Sequence, residues 1–441
     1  MKKLWVLILI IIATAVGFVY FSPMFEKEPP KIEIDSNGFT NLKFPLKLNI
    51  SDNSGIKDYT VTLVADGNAR VLIKNSGDLG KNISIDIKLP KVAAKEVKLI
   101  VDAVDTSKWH FFAGNEAKKE VVLKVDTTAP DAQIVNNSYA IGNGGSAAVV
   151  VKVADDNLKD AYILVNNKYR FKLTPFYKKN YYAALIAWPV EEKTFDANLV
   201  AVDFAGNKSI AHIPLYWKKY RYPTKKIYIT DNYIKNKAMT VLKRMNIDVP
   251  NDPVEIFKKE NEYVRKLNEE EIFNLTHKVY EDKINSFSIA RFNPLPGSAK
   301  EAGFGEKRHY IYKGKDISFA IHKGIDLAKI KRAKIYSSNF GKVVAAKWIG
   351  IYGNTLIVYH KLGLYSLYAH TSEFKVKVGD NVRRGQVIAR TGATGGVLGD
   401  HLHFGIYIQG IAVNPLEWLD RNWIRTNIIN VINSSKRLIG K

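Results

Sequence analysis

GDHLHFGIY at residues 399–407 and HKGIDLA at residues 322–328 decide how the C-terminal part of this chain is read. In the first run, His401-Leu402-His403-Phe404 alternates polar with apolar among β-formers, so a strand puts both imidazoles on one face. A helix would splay them about 200° apart. In the second, His322 and Asp326 stand four residues apart, a spacing that keeps both on one face whether the segment is extended or helical. Gly324 between them favours an extended or turning backbone.

Three ligands of the type His, Asp, His with a water in the fourth position make an open tetrahedral zinc site. Such a metal polarises a carbonyl and lowers the pKa of its bound water towards neutrality. A leftover imidazole beside the metal then serves as general base, and the candidates are one of the pair His401/His403, and His370 in LYSLYAH.

Working outward, HKGIDLA is followed by NTLIVYHKLGLYSLYAH (354–370), VKVGDNVRRGQVIARTGATG (376–395), HLHFGI and GIAVNPLEWL (410–419). That order resembles the M23 family of lysostaphin-type zinc metallopeptidases over roughly residues 301–420. The resemblance implies one zinc per chain held by His322, Asp326 and His403, with His370 and His401 as the catalytic imidazoles. It also implies an antiparallel sheet with the site in a groove, and peptide bonds of cell-wall peptidoglycan, in stem peptides or crosslinks, as substrate. Phe304-Gly305-Glu306-Lys307-Arg308 resembles the run that precedes the first ligand in many members. The chain departs from the pattern after Ala328, where KIKRAKIYSSNFGKVVAAK replaces a short Pro/Gly turn. Asp316, Ser318 and Phe319 stand where glycine-bridge specialists carry a tyrosine, which argues against a Gly-Gly substrate.

The chain has 441 residues, 46% hydrophobic and 25% charged, enough for several domains with real cores. Lys2 and Lys3 precede an apolar run from Leu4 to Phe21, 18 residues long, which suffices to span a bilayer with the bulk of the chain exported. A cleaved signal peptide competes, since Ala13-Thr14-Ala15 is an A-x-A site, but the apolar run continues past it. The expected location is the cell envelope, anchored in the cytoplasmic membrane by one N-terminal helix. With no cysteine, disulfides and thiolate metal sites are excluded. The net charge of +23 is spread along the chain and reads mostly as a solvated basic surface. YWKKYRYPTKK (216–226) interleaves aromatics with lysines, yet export makes nucleic acid an improbable partner, and the run reads as a linker.

From Pro29 to Trp217 the sequence repeats. Ser51-Asp52 with Ile56-Lys57-Asp58 and Tyr59 returns as Ala154-Asp155 with Leu158-Lys159-Asp160 and Tyr162. Ala103-Val104-Asp105 and Ala113-Gly114-Asn115 return as Ala201-Val202-Asp203 and Ala205-Gly206-Asn207. Short alternating runs between Gly/Asn/Asp turns predict two β-sandwiches that resemble bacterial immunoglobulin-like domains and read best as a mechanical spacer. Residues 231–285 switch to helical period, with Asp252-Pro253 as N-cap and first helical position of a second helix. Its charge pairs around Glu260 and Arg265 imply a solvated face. PLEWLDRNWIRTNIINVINSSKRL closes the chain with an amphipathic pattern that places Leu416, Leu419, Trp423 and Ile424 on one side. His277, His309, His360 and His110 read as surface, packing or supporting residues.

The expected fold is thus multidomain and mainly β. Its parts are an N-terminal anchor or signal segment (1–27), two Ig-like sandwiches (28–127 and 128–217) and a helical linker that could regulate (218–300). A peptidase domain (301–420) and a C-terminal helix (421–441) complete it. The expected function is a zinc endopeptidase of peptidoglycan. A non-catalytic regulator that binds other wall enzymes is the alternative, although such regulators usually lack the ligands. An adhesion scaffold would need neither the ligands nor the two extra imidazoles.

Overall fold

The computed structural model describes residues 2–440, so Met1 and Lys441, the outer bounds of the two expected terminal segments, lie outside it. The chain is mainly β, as expected, and divides into two compact bodies. One comprises Met1–Pro130 with Asp155–Asp160 and Val202–Lys208; the other comprises Asp131–Ala154, Ala161–Ala201 and Ser209–Lys441.

In the first body an apolar helix, Lys2–Phe21, precedes a three-stranded sheet (Lys31–Ile34, Leu46–Ser51, Asn82–Ile87) and a five-stranded sheet. Strict alternation makes the core: along Leu46–Ser51 and Glu96–Asp105 every second residue is buried. Leu48, Ile50, Val61, Leu99 and Val101 come from the inward faces of the two sheets. The helix carries no such stripe. Leu4, Trp5, Leu9 and Ile10 are all more than half exposed, and Lys3–Phe21 is long and apolar enough to cross a membrane.

The second body begins with two four-stranded sheets. Strand Ser146–Ala154 (SAAVVVKVA) is apolar nearly throughout because it is covered on both faces. Its outer cover is the C-terminal helix, whose Ile428, Val431, Ile432 and Ile439 are buried there. Asn136 Nδ2 donates to the Val431 carbonyl at 3.0 Å and Ser138 Oγ to the Asn427 carbonyl at 2.6 Å, closing the contact. The helical pattern read from Leu416 to Ile424 does not form one face, since the helix stops at Leu419. Asp420 takes an extended backbone (φ −92°, ψ 113°) and caps a new start through Asn422 and Trp423. Leu416 is left 40% exposed while Ile424 is buried.

The run at 216–226 is structured. Tyr216–Lys218 pairs in parallel with Ala140–Gly142, and Thr224–Tyr228 pairs in parallel with Lys307–Tyr312. Two helical stretches follow, 231–244 and 253–276. Asp252 accepts the Glu255 N–H at 3.0 Å, with Pro253 in the first turn.

The rest forms an antiparallel sheet whose central strands we label β1 (Ile325–Ala328), β2 (Gly341–Ile349), β3 (Gly353–Tyr359), β4 (Leu364–Ala369) and β5 (Leu402–Ile408). Their order in the sheet is β1-β5-β4-β3-β2. β4 and β5 are buried along their whole length, which is why LYSLYA and LHFGIYI read as nearly continuous apolar runs. The register sets Asp326 of β1 and Ala369 of β4 on opposite sides of His403 in β5.

Candidate metal centre and its groove

His403 projects from the middle strand of that trio, so its neighbours are dictated by pairing. Asp326 is its partner on β1. His322 precedes β1 by a turn through Lys323 and Gly324, and His370 follows the last residue of β4. The turn is possible because position 324 is glycine: a Cβ there would lie 2.6 Å from the His403 ring and 2.8 Å from the Phe404 carbonyl. His370 adopts φ +60°, a left-handed conformation that costs a β-carbon-bearing residue energy and bends the chain out of β4.

Three donor atoms converge. His322 Nε2 lies 3.1 Å from Asp326 Oδ1 and 3.0 Å from His403 Nδ1, and His403 Nδ1 lies 2.9 Å from Asp326 Oδ1. Donors bound to zinc at about 2.0–2.1 Å in a tetrahedron are separated by roughly 3.3 Å, so the spacing fits a metal shared by all three. The set His322, Asp326, His403 can hold a metal ion. Orientation is enforced from outside. His322 Nδ1–H donates to the Gly303 carbonyl at 2.8 Å, which leaves Nε2 as the inward acceptor. Arg308 reaches the second oxygen of Asp326 at 3.2 Å and Glu306 at 3.4 Å, which turns Oδ1 towards the imidazoles. Burial raises the Asp326 carboxyl, but His322 and His403 outweigh it and hold it well below the usual range.

The two remaining imidazoles stand beside this set. The rings of His370 and His401 are 4.9 Å apart, and that of His370 is 5.9 Å from His403. Each is fixed through Nδ1, His370 on the Thr394 carbonyl at 2.9 Å and His401 on the Gly399 carbonyl at 3.0 Å. Both Nε2 atoms are therefore the acceptors available to a reacting group. Burial, with the charges of His401 and His403, pushes the His370 pKa well below that of free histidine and keeps it neutral. All five residues singled out from the sequence line one groove of about 340 Å³.

The other histidines lie apart from this set. His360 is buried and satisfied by the Phe340 carbonyl (2.8 Å) and Ser366 (2.7 Å), its pKa lowered to about 4 by burial. His309 pairs with Asp316 at 2.7 Å on the surface, His277 stacks on Phe273, and His110 faces the Gly114 carbonyl in the first body.

One wall of the groove comes from the helical segment that the sequence suggested could regulate, although the residues that form it were not singled out there as groove residues. Tyr233, Phe257, Glu260, Asn261 and Arg265, all from the two helical stretches, line it together with the histidines. Glu260 and Asn261 are 2% exposed, which corrects the expectation of a solvated helix face at this position. Tyr233 Oη donates towards Glu260 (2.9 Å) and the Gly396 carbonyl (3.0 Å), and Lys237 donates to the Ala393 carbonyl at 2.8 Å. The helices thereby grip the loop between His370 and His401. Burial raises the Glu260 pKa to about 7. Two carboxylates hold the turn after His322 in place, since Lys323 pairs with Glu191 and Glu269, each at 2.8 Å.

Residues 320–415 match peptidase family M23, so the chain carries an M23 domain at its C-terminal end. Over 116 residues it is 34% identical to the peptidoglycan DD-endopeptidase ShyB of Vibrio cholerae, a match covering 26% of each protein. It is 38% identical over 99 residues to the murein hydrolase activator EnvC of Escherichia coli, covering 22% of this chain and 24% of that one. Among solved structures it is similar to the catalytic domain of the antimicrobial peptidase lysostaphin from Staphylococcus simulans. That match has TM-score 0.24 and 29% identity over 28% of this chain and 92% of that one. The chain thus spans about a quarter of the length of these two curated relatives.

Proposed function

We propose that the chain is a zinc-dependent endopeptidase that cuts peptide bonds in cell-wall peptidoglycan from an anchored position in the envelope. The observation that carries this reading is the meeting of His322, Asp326 and His403 with two further oriented imidazoles in one groove. When bound, zinc held by those three residues would polarise the scissile carbonyl and acidify a water. The chain's own part is proton handling and positioning. The Nε2 atoms of His370 and His401 are the bases within reach; the one that accepts the water's proton then carries an Nε2–H that can donate to the carbonyl oxygen as negative charge grows on it, or to the departing amine. Arg308 and the Gly303 carbonyl keep Asp326 and His322 in their productive orientations. Similarity to a DD-endopeptidase of peptidoglycan supports the substrate class.

The second reading, a regulator of other wall enzymes, is favoured by the similarity to a murein hydrolase activator and by the helices lining the groove. Digestion of purified wall followed by mass spectrometry of the muropeptides separates the two. New peptide termini that vanish in His401→Ala establish the enzyme, and an unchanged muropeptide profile establishes the regulator.

A further inference from the structure

The sandwich repeat carries a second constellation that peptide hydrolysis does not use. Glu26, Asp52 and Asp105 come together in the first body, and so do Asp126, Asp155 and Asp203; in each trio the carboxylate oxygens approach within 4.8 Å of one another. The trios occupy equivalent positions. Glu26 and Asp126 each precede the first strand of a sandwich, which starts at Lys31 in one and Asp131 in the other. Asp52 and Asp155 each follow the strand that ends at Ser51 or Ala154. Asp105 and Asp203 each close a strand.

The supporting contacts repeat as well. Asn115 donates from Nδ2 to Asp105 Oδ2 at 2.7 Å and to the Glu26 carbonyl at 2.9 Å. Asn207 makes the same two bonds, to Asp203 Oδ2 at 2.8 Å and the Asp126 carbonyl at 2.9 Å.

Carboxylates this close repel one another, and among the described residues none of the six forms an ion pair with Lys, Arg or His. Burial, and then the neighbouring carboxylates, raise the pKa of Glu26 and of Asp155. Oxygen acceptors are also left without donors. Asn207 is 5% exposed, its amide is laid on the Asp203 carboxylate through both backbone N and Nδ2, and its Oδ1 is buried with no hydrogen-bond partner. Asn157, which donates to Asp126 Oδ2 at 2.9 Å, has the same orphaned Oδ1, and Glu26 has an orphaned Oε2. Buried acceptors of this kind cost free energy unless a proton donor or a cation meets them. Beside three carboxylates the field favours a cation, and a donor set made only of oxygen selects a hard one that accepts many ligands.

We propose that each sandwich binds one calcium ion, at Glu26/Asp52/Asp105 and at Asp126/Asp155/Asp203. Bound there, calcium ties the segment entering a sandwich to two of its strand ends and stiffens the spacer.

The test is equilibrium dialysis of radioactive calcium against the detergent-solubilised full chain with zinc present. Two saturable sites per chain are expected, with Kd of about 0.1–1 mM, the range of extracellular modules. Asp52→Asn and Asp155→Asn should each remove one site. Both keep the oxygen that accepts the N–H of Ser54 or Asn157, so the fold survives, which circular dichroism in calcium-free buffer verifies. His322→Ala should leave the calcium count unchanged. No saturable uptake up to ~10 mM, above the range of such modules, would mean that only water meets these oxygens and would overturn the proposal. So would uptake that both Asn variants retain.

Discussion

His403 bears more constraint than any other residue of the groove. It pairs with Asp326 on one side and Ala369 on the other, packs against Gly324, and offers Nδ1 to the other two donors. Removing any one donor leaves two, too few for a stable zinc site. His322→Ala, Asp326→Ala and His403→Ala should therefore each lose the roughly one zinc per chain that the intact protein retains through gel filtration, read by elemental analysis. Retention of zinc by all three would refute the ligand assignment. His370→Ala and His401→Ala test the other half of the site. They should keep the metal yet slow peptide cleavage at least ~100-fold, the usual scale for a positioned acid or base. Near-normal turnover in either would reduce that imidazole to a structural role. Arg308 was readable only as part of a motif, because its bond to Asp326 joins residues 18 apart in sequence across two different sheets.

Legibility at the scale of elements follows how local the determining contact is. The strand that carries His403, the Asp252-Pro253 helix start and the alternating sandwich strands depend on neighbours within a few residues, and the sequence shows them; His401 stands just before that strand, in an isolated bridge to Gly392. The buried side of the second helical stretch depends on loop 393–396, more than 130 residues away, so Glu260 looked like half of a surface pair. The C-terminal helix likewise owes its orientation to Asp420 and to the outer face of strand Ser146–Ala154. There the half-buried Glu417 lies beside Gly145 and accepts the Ser146 N–H at 3.2 Å, and the desolvation of its carboxyl raises its pKa from 4.5 to about 8. The folded state thus binds an extra proton between those values. Stability is highest below about pH 4.5, falls as pH rises through 8, and the whole cost, on the order of a few kcal/mol, persists above it. Glu417→Gln should raise Tm at pH 9 and change it little at pH 5. An increment independent of pH would show that Glu417 is not protonated in the fold.

The helices that wall the groove also set up a test of access. A chain starting near Phe292 would lose strand Thr224–Tyr228 along with the helices, so point changes are cleaner. Tyr233→Phe with Lys237→Met removes the hydrogen bonds to Gly396 and Ala393. If the grip restricts entry, this variant should cleave a small soluble peptide roughly 2–10-fold faster, the equivalent of one net hydrogen bond. Equal rates at equal zinc content would make the helices a structural bridge.

For the whole molecule the deciding question is how the N-terminal helix is used, because it determines where an M23 domain can act. Lys3–Phe21 has a mean hydropathy of 2.7 and none of it is buried, the surface of a segment that lipid would cover. The charge of +23 supplies a second, weaker attraction to anionic headgroups, and the two respond differently to salt. Electrostatic binding is screened within about 3 Å at 1 M salt, whereas a spanning helix is not released. The full chain should therefore stay with membranes through a 1 M salt wash and dissolve only in detergent, while a chain starting at Pro29 should be freed. Mass spectrometry of the extracted protein should find the residues before Val16 still attached. Recovery of a salt-soluble form beginning at Val16 would instead show that Ala13-Thr14-Ala15 is cleaved and that the protein is untethered.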